Sequence, residues 1–414
     1  MSKVNQLIEK GVHILSPQSV DIGSDVDINR ISADSVTIYA GCKIYGRETL
    51  ILKGAKLGYE APVTIENCHI GPHVELKGGF LKDAVFLKKA CMGSGAHVRE
   101  GTILEEYANC AHTVGLKQTI LLPFVTLGSL INFCDCLMAG GTGPKDHSEV
   151  GSAYIHFNYT PNQDKATASL IGDVPSGVML DQAPIFLGGQ GGLVGPARLA
   201  FGTTIAAGSI CRKDELRPGL LLFDNGIKKG AIPFSAGLYR NLKRTIHNNL
   251  IYIGNLMALR QWYIKVRHEF IGPDFPNTLL TGLRKMVDRA IDERIGRLKG
   301  LSDKMPRSIK LYTAAVGKDD ASLLLSQKKE LHARWPEIET CFYEVKNAAG
   351  DTKLCDSFLR FLEPFAKENR YDYISTIKAL DQETKEIGTK WLSSIVKTTV
   401  ERVTQYLPSY GILP

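Results

Sequence analysis

The sequence predicts a mainly β solenoid built from six-residue repeats, followed by an all-α domain. Three observations carry this reading. In "FLKKACMGSGAHVREGTILEEYANCAHTVGL", residues 86 to 116, Phe86, Met92, Val98, Leu104, Cys110 and Leu116 recur at every sixth position. Two residues before each stands a small or β-branched residue: Ala84, Ala90, Ala96, Thr102, Ala108 and Val114. Near residue 225 the composition turns from Gly, Val, Ile and Thr to Leu, Lys, Arg, Glu and Ala with helical spacing. A period of six matches neither the 3.6 of a helix nor the alternation of a flat strand. It fits a chain that turns a corner every six residues, so that three short strands close a triangular coil of about 18 residues. The large residue fills the bore, the small one fits inside the corner, and successive coils pair at about 4.8 Å. Periodicity leaves the hand of the coil open.

Ser2 to Lys10 reads as a short helix capped by Ser2, with Val4, Leu7 and Ile8 as its apolar residues. It is expected to cap the first coil, because an open coil end invites edge pairing. The six-residue rhythm then runs through Ile22, Ile28, Ile38, Ile44, Ile70 and Leu76 and is strictest over 84–116. It resumes as Leu187, Leu193, Leu199, Ile205 and Cys211, with Gly191, Ala197, Thr203 and Ser209 in the small position. It breaks over Met138–Val150 and Asn158–Ala183. Coils accommodate insertions only outward, so these breaks are candidate site loops. The domains expected are 1–225, the β-helix, and 226–414, the helical domain, with the junction at Gly226–Pro233. From Phe234 the spacing of Leu238, Leu242, Ile246 and Leu250 begins a helix that Pro273 and Pro276 end. Leu279–Leu298, Ser322–Lys346, Ser357–Lys367 and Glu383–Tyr406 read as further amphipathic helices, and this part is expected to close the last coil.

The 414 residues, 44% apolar, suit two ordinary domains. A net charge of +7 accommodates an anionic small ligand without demanding nucleic acid. The nine Cys, an odd number without a regular framework, read as buried thiols in a reducing cytoplasm. Met1 to Lys10 lacks the apolar core of a signal peptide. No apolar run reaches the roughly 18 residues of a membrane span.

"GSAYIHFNYTPNQDKATASLIGD", residues 151 to 173, carries Ile155, Asn158, Tyr159, Lys165, Ile171, Gly172 and Asp173 in the order of a known motif. Downstream stand "GGLVGPARLAFGTTIAAGSICRKD" and upstream "VGLKQT". Together, over about residues 65 to 215, these resemble the acetyltransferase domain of bifunctional N-acetylglucosamine-1-phosphate uridylyltransferase/glucosamine-1-phosphate acetyltransferases. The resemblance implies a left-handed parallel β-helix and a homotrimer with sites between subunits. It implies that Lys117, Asn158, Tyr159 and Lys165 bind a sugar phosphate or nucleotide sugar. It also implies that acetyl-CoA or another acyl-CoA lies against Ala206 and Arg212. The chemistry suits those types: Lys is a point charge for phosphate, Arg forks onto one, and Asn and Tyr give directional hydrogen bonds.

The sequence departs from that family in two places. The family's catalytic His lies in an Asn-His-Leu-Ser-Tyr run; here "GSLINF" puts Ser129 at the His position and Asn132, a substrate-binding candidate, at the Tyr position. Acyl transfer to an amine needs a base, and a Ser hydroxyl alone is a poor one. The Gly-rich uridylyl-transfer motif is missing, so no uridylyl transfer is expected. His147, beside Asp146 in "GGTGPKDHSEVGS", is the candidate replacement base, with a solvated loop His as the alternative. His156 either lines the ligand cleft or is satisfied by backbone. Cys134 and Cys136, spaced Cys-x-Cys, fit bore packing better than a zinc site, and no metal is expected. "GGTG" and "FLGGQGG" read as coil corners rather than phosphate cradles. The basic stretch from Tyr239 to Lys310 is interrupted by Glu269, Asp288, Asp292 and Glu293, which favours solvated helix faces over contact with an anionic ligand or partner, and over nucleic acid. Two functions therefore stand: an acyl-CoA-dependent N-acyltransferase of a sugar phosphate or nucleotide sugar, or a nucleotide-sugar-binding scaffold that has lost its base.

Overall fold

The computed structural model describes residues 2–223, 231, 234–316 and 322–412. The expected junction at Gly226–Pro233 lies outside the described residues, apart from Ala231. Helix α1 (Lys3–Lys10) opens the chain, with the Ser2 hydroxyl accepting from the Asn5 amide at 3.2 Å. Its Leu7 is buried among the first bore residues, and Lys10 Nζ donates to the carbonyls of Ile28 and Ile31.

After α1 the chain winds into a parallel β-solenoid of about eleven coils. Among the described residues the first face holds eleven two-residue rungs from His13–Ile14 to Leu221–Leu222. The second runs from Asp21–Ile22 through Ala96–Val98 and Ile155–Phe157 to Ile210–Cys211. The third runs from Leu50–Ile51 through Ala84–Phe86 and Cys136–Met138 to Arg198–Leu199. The bore rows match the six-residue rhythm. Phe86 pairs with Leu104, Met92 with Cys110 and Val98 with Leu116, one coil apart on the third, first and second faces. All six are fully or almost fully buried, as are the small residues two positions before them. The corner between the second and third faces takes left-handed backbone at Asp83, Gly101, Gln118 and Asp135. Val114–Leu121 and Ile131–Met138 run as single strands around it.

The first break in the rhythm is a hairpin pairing Gly141 with His147, between the third and first faces. The second is two insertions, because Ser169–Ile171 returns to the third face between them. The later of the two carries α2 (Val174–Gly177), capped by Asp173.

The helices are α3 (Leu242–Lys265), α4 (Asn277–Ser302), α5 (Met305–Val316), α6 (Leu323–Ala333), α7 (Trp335–Val345), α8 (Thr352–Glu368), α9 (Tyr373–Ala379) and α10 (Gln382–Thr404). The expected single helix over Ser322–Lys346 is two. Arg334 leaves helical geometry at ψ 4° and Pro336 supplies no amide for the preceding turn. The first long helix stops at Lys265, ahead of the prolines, and a 3₁₀ turn over Arg267–Phe270 carries the chain on.

The helices do more than follow the last coil: they lie along the third face. That face is apolar on both sides, with Phe86, Leu104, Leu121 and Met138 in the bore and Val85, Ile103, Ile120 and Leu137 outside. The outer row is buried in one continuous core with α3 and α4 residues such as Tyr252, Leu283 and Ile291. Helix α4 runs along the solenoid axis. Gly282 meets His69 so closely that a Cβ there would lie 2.7 Å from Nδ1. Farther along, Arg289 pairs with Asp83 at 3.0 Å and Arg294 with Asp135 at 2.6 Å. Beyond α3, Arg267 bridges to Glu106 at 3.2 Å, with the two side chains 1% and 7% exposed. Its guanidinium also stacks 3.7 Å from the Tyr373 ring centroid and 4.3 Å from that of Phe275.

Removing one partner from this last pair strands a buried charge, which costs about 3–5 kcal/mol. Arg267→Ala should therefore lower stability by that order in urea melts. Arg267→Met combined with Glu106→Gln should recover most of the loss; equal losses in both proteins would show that the pair does not anchor the helices.

Candidate functional site

The corner between the second and third faces gathers most of the polar candidates. Asp135 occupies it in left-handed geometry at φ 61° and is buried. One carboxylate oxygen takes the Arg294 guanidinium and the other accepts from Asn158 Nδ2 at 2.7 Å. The Asn158 carbonyl also accepts from the Thr167 hydroxyl at 2.8 Å. An otherwise mobile Asn is thus fixed from both ends, and its Oδ1 has no partner among the described residues. Tyr159 is exposed, and Lys165 Nζ lies 6.0 Å from its ring centroid. Lys117 sits two coils before Asn158 on the same corner, about 10 Å away by coil spacing. It is paired with Glu100 at 2.7 Å. Burial pushes the Glu100 carboxyl up, but the Lys117 hydrogen bond and charge outweigh it and hold the group below the usual carboxylate range.

The other candidates fall elsewhere. Asn132 is exposed on the second face, where its Oδ1 takes the Cys134 thiol at 3.2 Å. His156 occupies a bore position on that face, its Nδ1 2.6 Å from the Cys134 carbonyl and its Nε2 2.7 Å from the Ser169 hydroxyl. Both ring nitrogens are engaged and the residue is 2% exposed, so it packs the interior and does not line a cleft. Burial pushes its pKa down to about 4. His147 stands in the hairpin between the third and first faces, across the helix-covered face from Asn158. Its Nδ1 is 2.9 Å from the Pro144 carbonyl and its Nε2 is 3.8 Å from Glu149, while Asp146 takes the Thr142 hydroxyl instead. The carboxylate expected to activate it is engaged elsewhere, and the structure does not bring His147 to the Asn158 cluster.

Cys136 lies in the bore, but Cys134 does not share its direction, because the corner at Asp135 interrupts the alternation between them. Cys134 Sγ lies 3.9 Å from the Arg99 guanidinium. All nine Cys are free thiols. Among the described residues no group of three or more His, Cys, Asp and Glu is disposed to hold a metal ion. Nor is any helix among them long and apolar enough to cross a membrane. Ala206 follows the first-face strand Thr204–Ile205, and Arg212 follows Ile210–Cys211 on the second face. Arg212 opens on a cleft of about 510 Å³ with Ser209, Asp214, Arg217 and Phe223. Sequence reasoning missed Asp135 and Arg294. The signal for Asp135 was an acidic residue within a run that otherwise packs a bore; Arg294 was hidden among solvated helix charges.

No family model matches the chain. Among curated proteins, it is 28% identical over 215 residues to bifunctional protein GlmU of Thermotoga petrophila, covering 52% of this chain and 42% of that protein. This chain is similar to GlmU over about half its length. The GlmU of Pelobacter propionicus matches at 27% over 209 residues, 50% of this chain and 40% of the relative. That of Staphylococcus haemolyticus matches at 27% over 203 residues, 49% and 39%. The chain thus covers about two fifths of the length of these GlmU proteins.

A His buried neutral stabilises the fold fully above its unfolded pKa near 6.5, and that contribution is lost as pH falls toward about 4. His69, pushed down to about 4 mainly by burial, acts in the same direction. His156→Leu should therefore lose less unfolding free energy between pH 7 and 4.5 than the wild type, by on the order of 1–3 kcal/mol. Parallel losses in denaturant melts would mean that the native ring is already charged.

Proposed function

We propose that the chain is an acyltransferase-like protein that holds a sugar phosphate or nucleotide sugar at the Asn158 corner and uses an acyl-CoA. The observation that carries this is the fixing of the Asn158 side chain by Asp135, itself braced by Arg294, next to a Tyr159 whose ring lies 6.0 Å from Lys165 Nζ; the Asn158 Oδ1, the Tyr159 hydroxyl and Lys165 Nζ have no hydrogen-bond partner among the described residues. Asn and Tyr read hydroxyls by direction, and Lys165 supplies charge for phosphate. Lys117 joins them if an incoming phosphate replaces Glu100 as its partner. Ala206, at the end of the first-face strand Thr204–Ile205, and Arg212, at the end of the second-face strand Ile210–Cys211, are the proposed acyl-CoA contacts. The similarity to GlmU supports the acyltransferase-like reading. No uridylyl transfer is proposed for these residues.

A homotrimer is part of the proposal. A triangular prism in a three-fold assembly meets its neighbours through two faces and turns the third outward. Helices cover the third face here, while the first and second present exposed residues such as Lys56, Asn109, His97 and Ile155, which supports that arrangement. One observation favours a second reading, a nucleotide-sugar-binding scaffold without catalysis: Ser129 stands where the family that the sequence resembles has its base.

Thermal shift against UDP-sugars, sugar 1-phosphates, coenzyme A and acetyl-CoA separates the readings, because a ligand that binds only the folded state raises Tm. Stabilisation by a sugar phosphate and by acetyl-CoA is expected. Asn158→Ala and Lys165→Ala should each weaken the sugar ligand about 10-fold or more, as the loss of a charged or well-oriented hydrogen bond does. A response to sugar nucleotide alone would favour the scaffold; no response to any ligand would remove the site.

A further inference from the structure

We infer that His112 is the general base of this protein, held in its working orientation by Ser129; the inference rests on the acyl-transfer reading above. Ser129 Oγ lies 2.9 Å from His112 Nδ1. The two residues are 17 apart in sequence and occupy the same corner, between the first and second faces, in adjacent coils. His112 is exposed and Ser129 half-buried. The backbone fixes both: the Leu130 amide donates to the His112 carbonyl at 3.1 Å, and the Ala153 amide to the Ser129 carbonyl at 2.8 Å. The Ser129 amide in turn donates to the Ser152 hydroxyl at 3.2 Å.

The contact fits either direction; we assign Ser129 Oγ as the acceptor from Nδ1–H, which selects the tautomer whose Nε2 carries a free lone pair. No partner of His112 Nε2 is found among the described residues. The pair thus supplies what a lone Ser lacks: an exposed imidazole nitrogen able to take a proton, with the hydroxyl as its positioning group. His147 and His156 do not compete for the role on geometry, since one is across the helix-covered face and the other is packed in the bore.

The step is balanced without a further reagent. The acceptor amine attacks the thioester carbonyl carbon, a C–N bond forms and the C–S bond breaks. The proton lost by the nitrogen passes to His112 Nε2 and from there to the departing coenzyme A thiolate, giving amide and free thiol. Reach sets one condition. Five residues of extended chain, about 16 Å, separate His112 from Lys117 across the second face. A sugar phosphate held at the Asn158 corner of one chain is therefore served by the His112 corner of a neighbouring copy.

The test uses the full chain with acetyl-CoA and whichever amino-sugar phosphate the wild type turns over. His112→Ala should lower kcat about 100- to 10,000-fold with little change in acceptor KM or in Tm, and added imidazole should restore part of the loss. Ser129→Ala should lower kcat less, with KM unchanged. Co-expressing His112→Ala with the Asn158→Ala/Lys165→Ala double variant should recover about one quarter of wild-type sites in mixed assemblies, although each variant alone is poor. A wild-type kcat in His112→Ala overturns the inference while leaving acyl transfer in place. So does a loss that imidazole does not relieve and that Tm shares, or a loss in His147→Ala alone. A wild type that binds ligands but transfers no acyl group overturns both the inference and the enzyme reading.

Discussion

Everything in this protein depends on keeping a narrow triangular bore filled. Each coil contributes one large apolar side chain per face, and each must fall in line with those above and below it. Phe86, Leu104, Leu121 and Met138 form one such row, and Met92, Cys110, Leu127 and Val150 another. A slip of one residue would turn a whole row outward. The solenoid is therefore stiff wherever the rhythm holds. It can change only at its corners, where chain is added without disturbing a row. Both breaks in the rhythm leave from corners, and so do the polar groups that the solenoid itself contributes to the candidate site.

Helix α4 turns this scaffold into a structure with a back and a front. By covering the third face it buries a second apolar layer and places Arg294 against Asp135. That contact gives the site its distinctive chemistry. The charge that braces Asn158 comes from the helical part of the chain, so the candidate corner is assembled from both halves. Docking the helix buries Asp135, and Arg294 on that same helix supplies the charge that a buried carboxylate needs. The helical part is consequently more than an appendage to the candidate site, whatever else it contacts.

Most of the solenoid was legible because one physical rule, a large residue inward every sixth position, acts on nearly every coil. The helical region was legible in outline, but Pro336 splits one expected helix, and the position of the helices along a side face was not anticipated. A signal for it exists in the sequence. On the third face the bore residue is preceded by another large apolar residue, as in Val85–Phe86, Ile103–Leu104, Ile120–Leu121 and Leu137–Met138. On the other faces the preceding residue is polar or small through the middle coils, as in His97–Val98, Asn109–Cys110 and Gly115–Leu116, with exceptions such as Phe80–Leu81 and Phe186–Leu187. A row apolar on both sides must be covered. The hand of the coil came from the resemblance and not from the rhythm. Of the site, the Asn158, Tyr159 and Lys165 group was legible as a motif. The Asp135–Arg294 brace and the Ser129–His112 pair were not, because each joins residues that only coil stacking or helix docking brings together. His156 misled because its neighbours in sequence are motif residues, whereas its side chain belongs to the bore row.

The pairing of α4 with the corners has one more consequence. A helix rises about 1.5 Å per residue and a coil about 4.8 Å, so roughly three helical residues span one coil. From Gly282 at His69 to Arg294 at Asp135 the helix advances twelve residues while the solenoid advances four coils, and the two scales agree. Solenoids ordinarily gain or lose repeats with little penalty, since each repeat touches only its neighbours. Here a duplicated coil between those contacts would leave the helix a turn short, with its arginines facing the wrong corners. The helix is a ruler laid against a stack, and it makes the repeat number of an otherwise extensible architecture a fixed quantity.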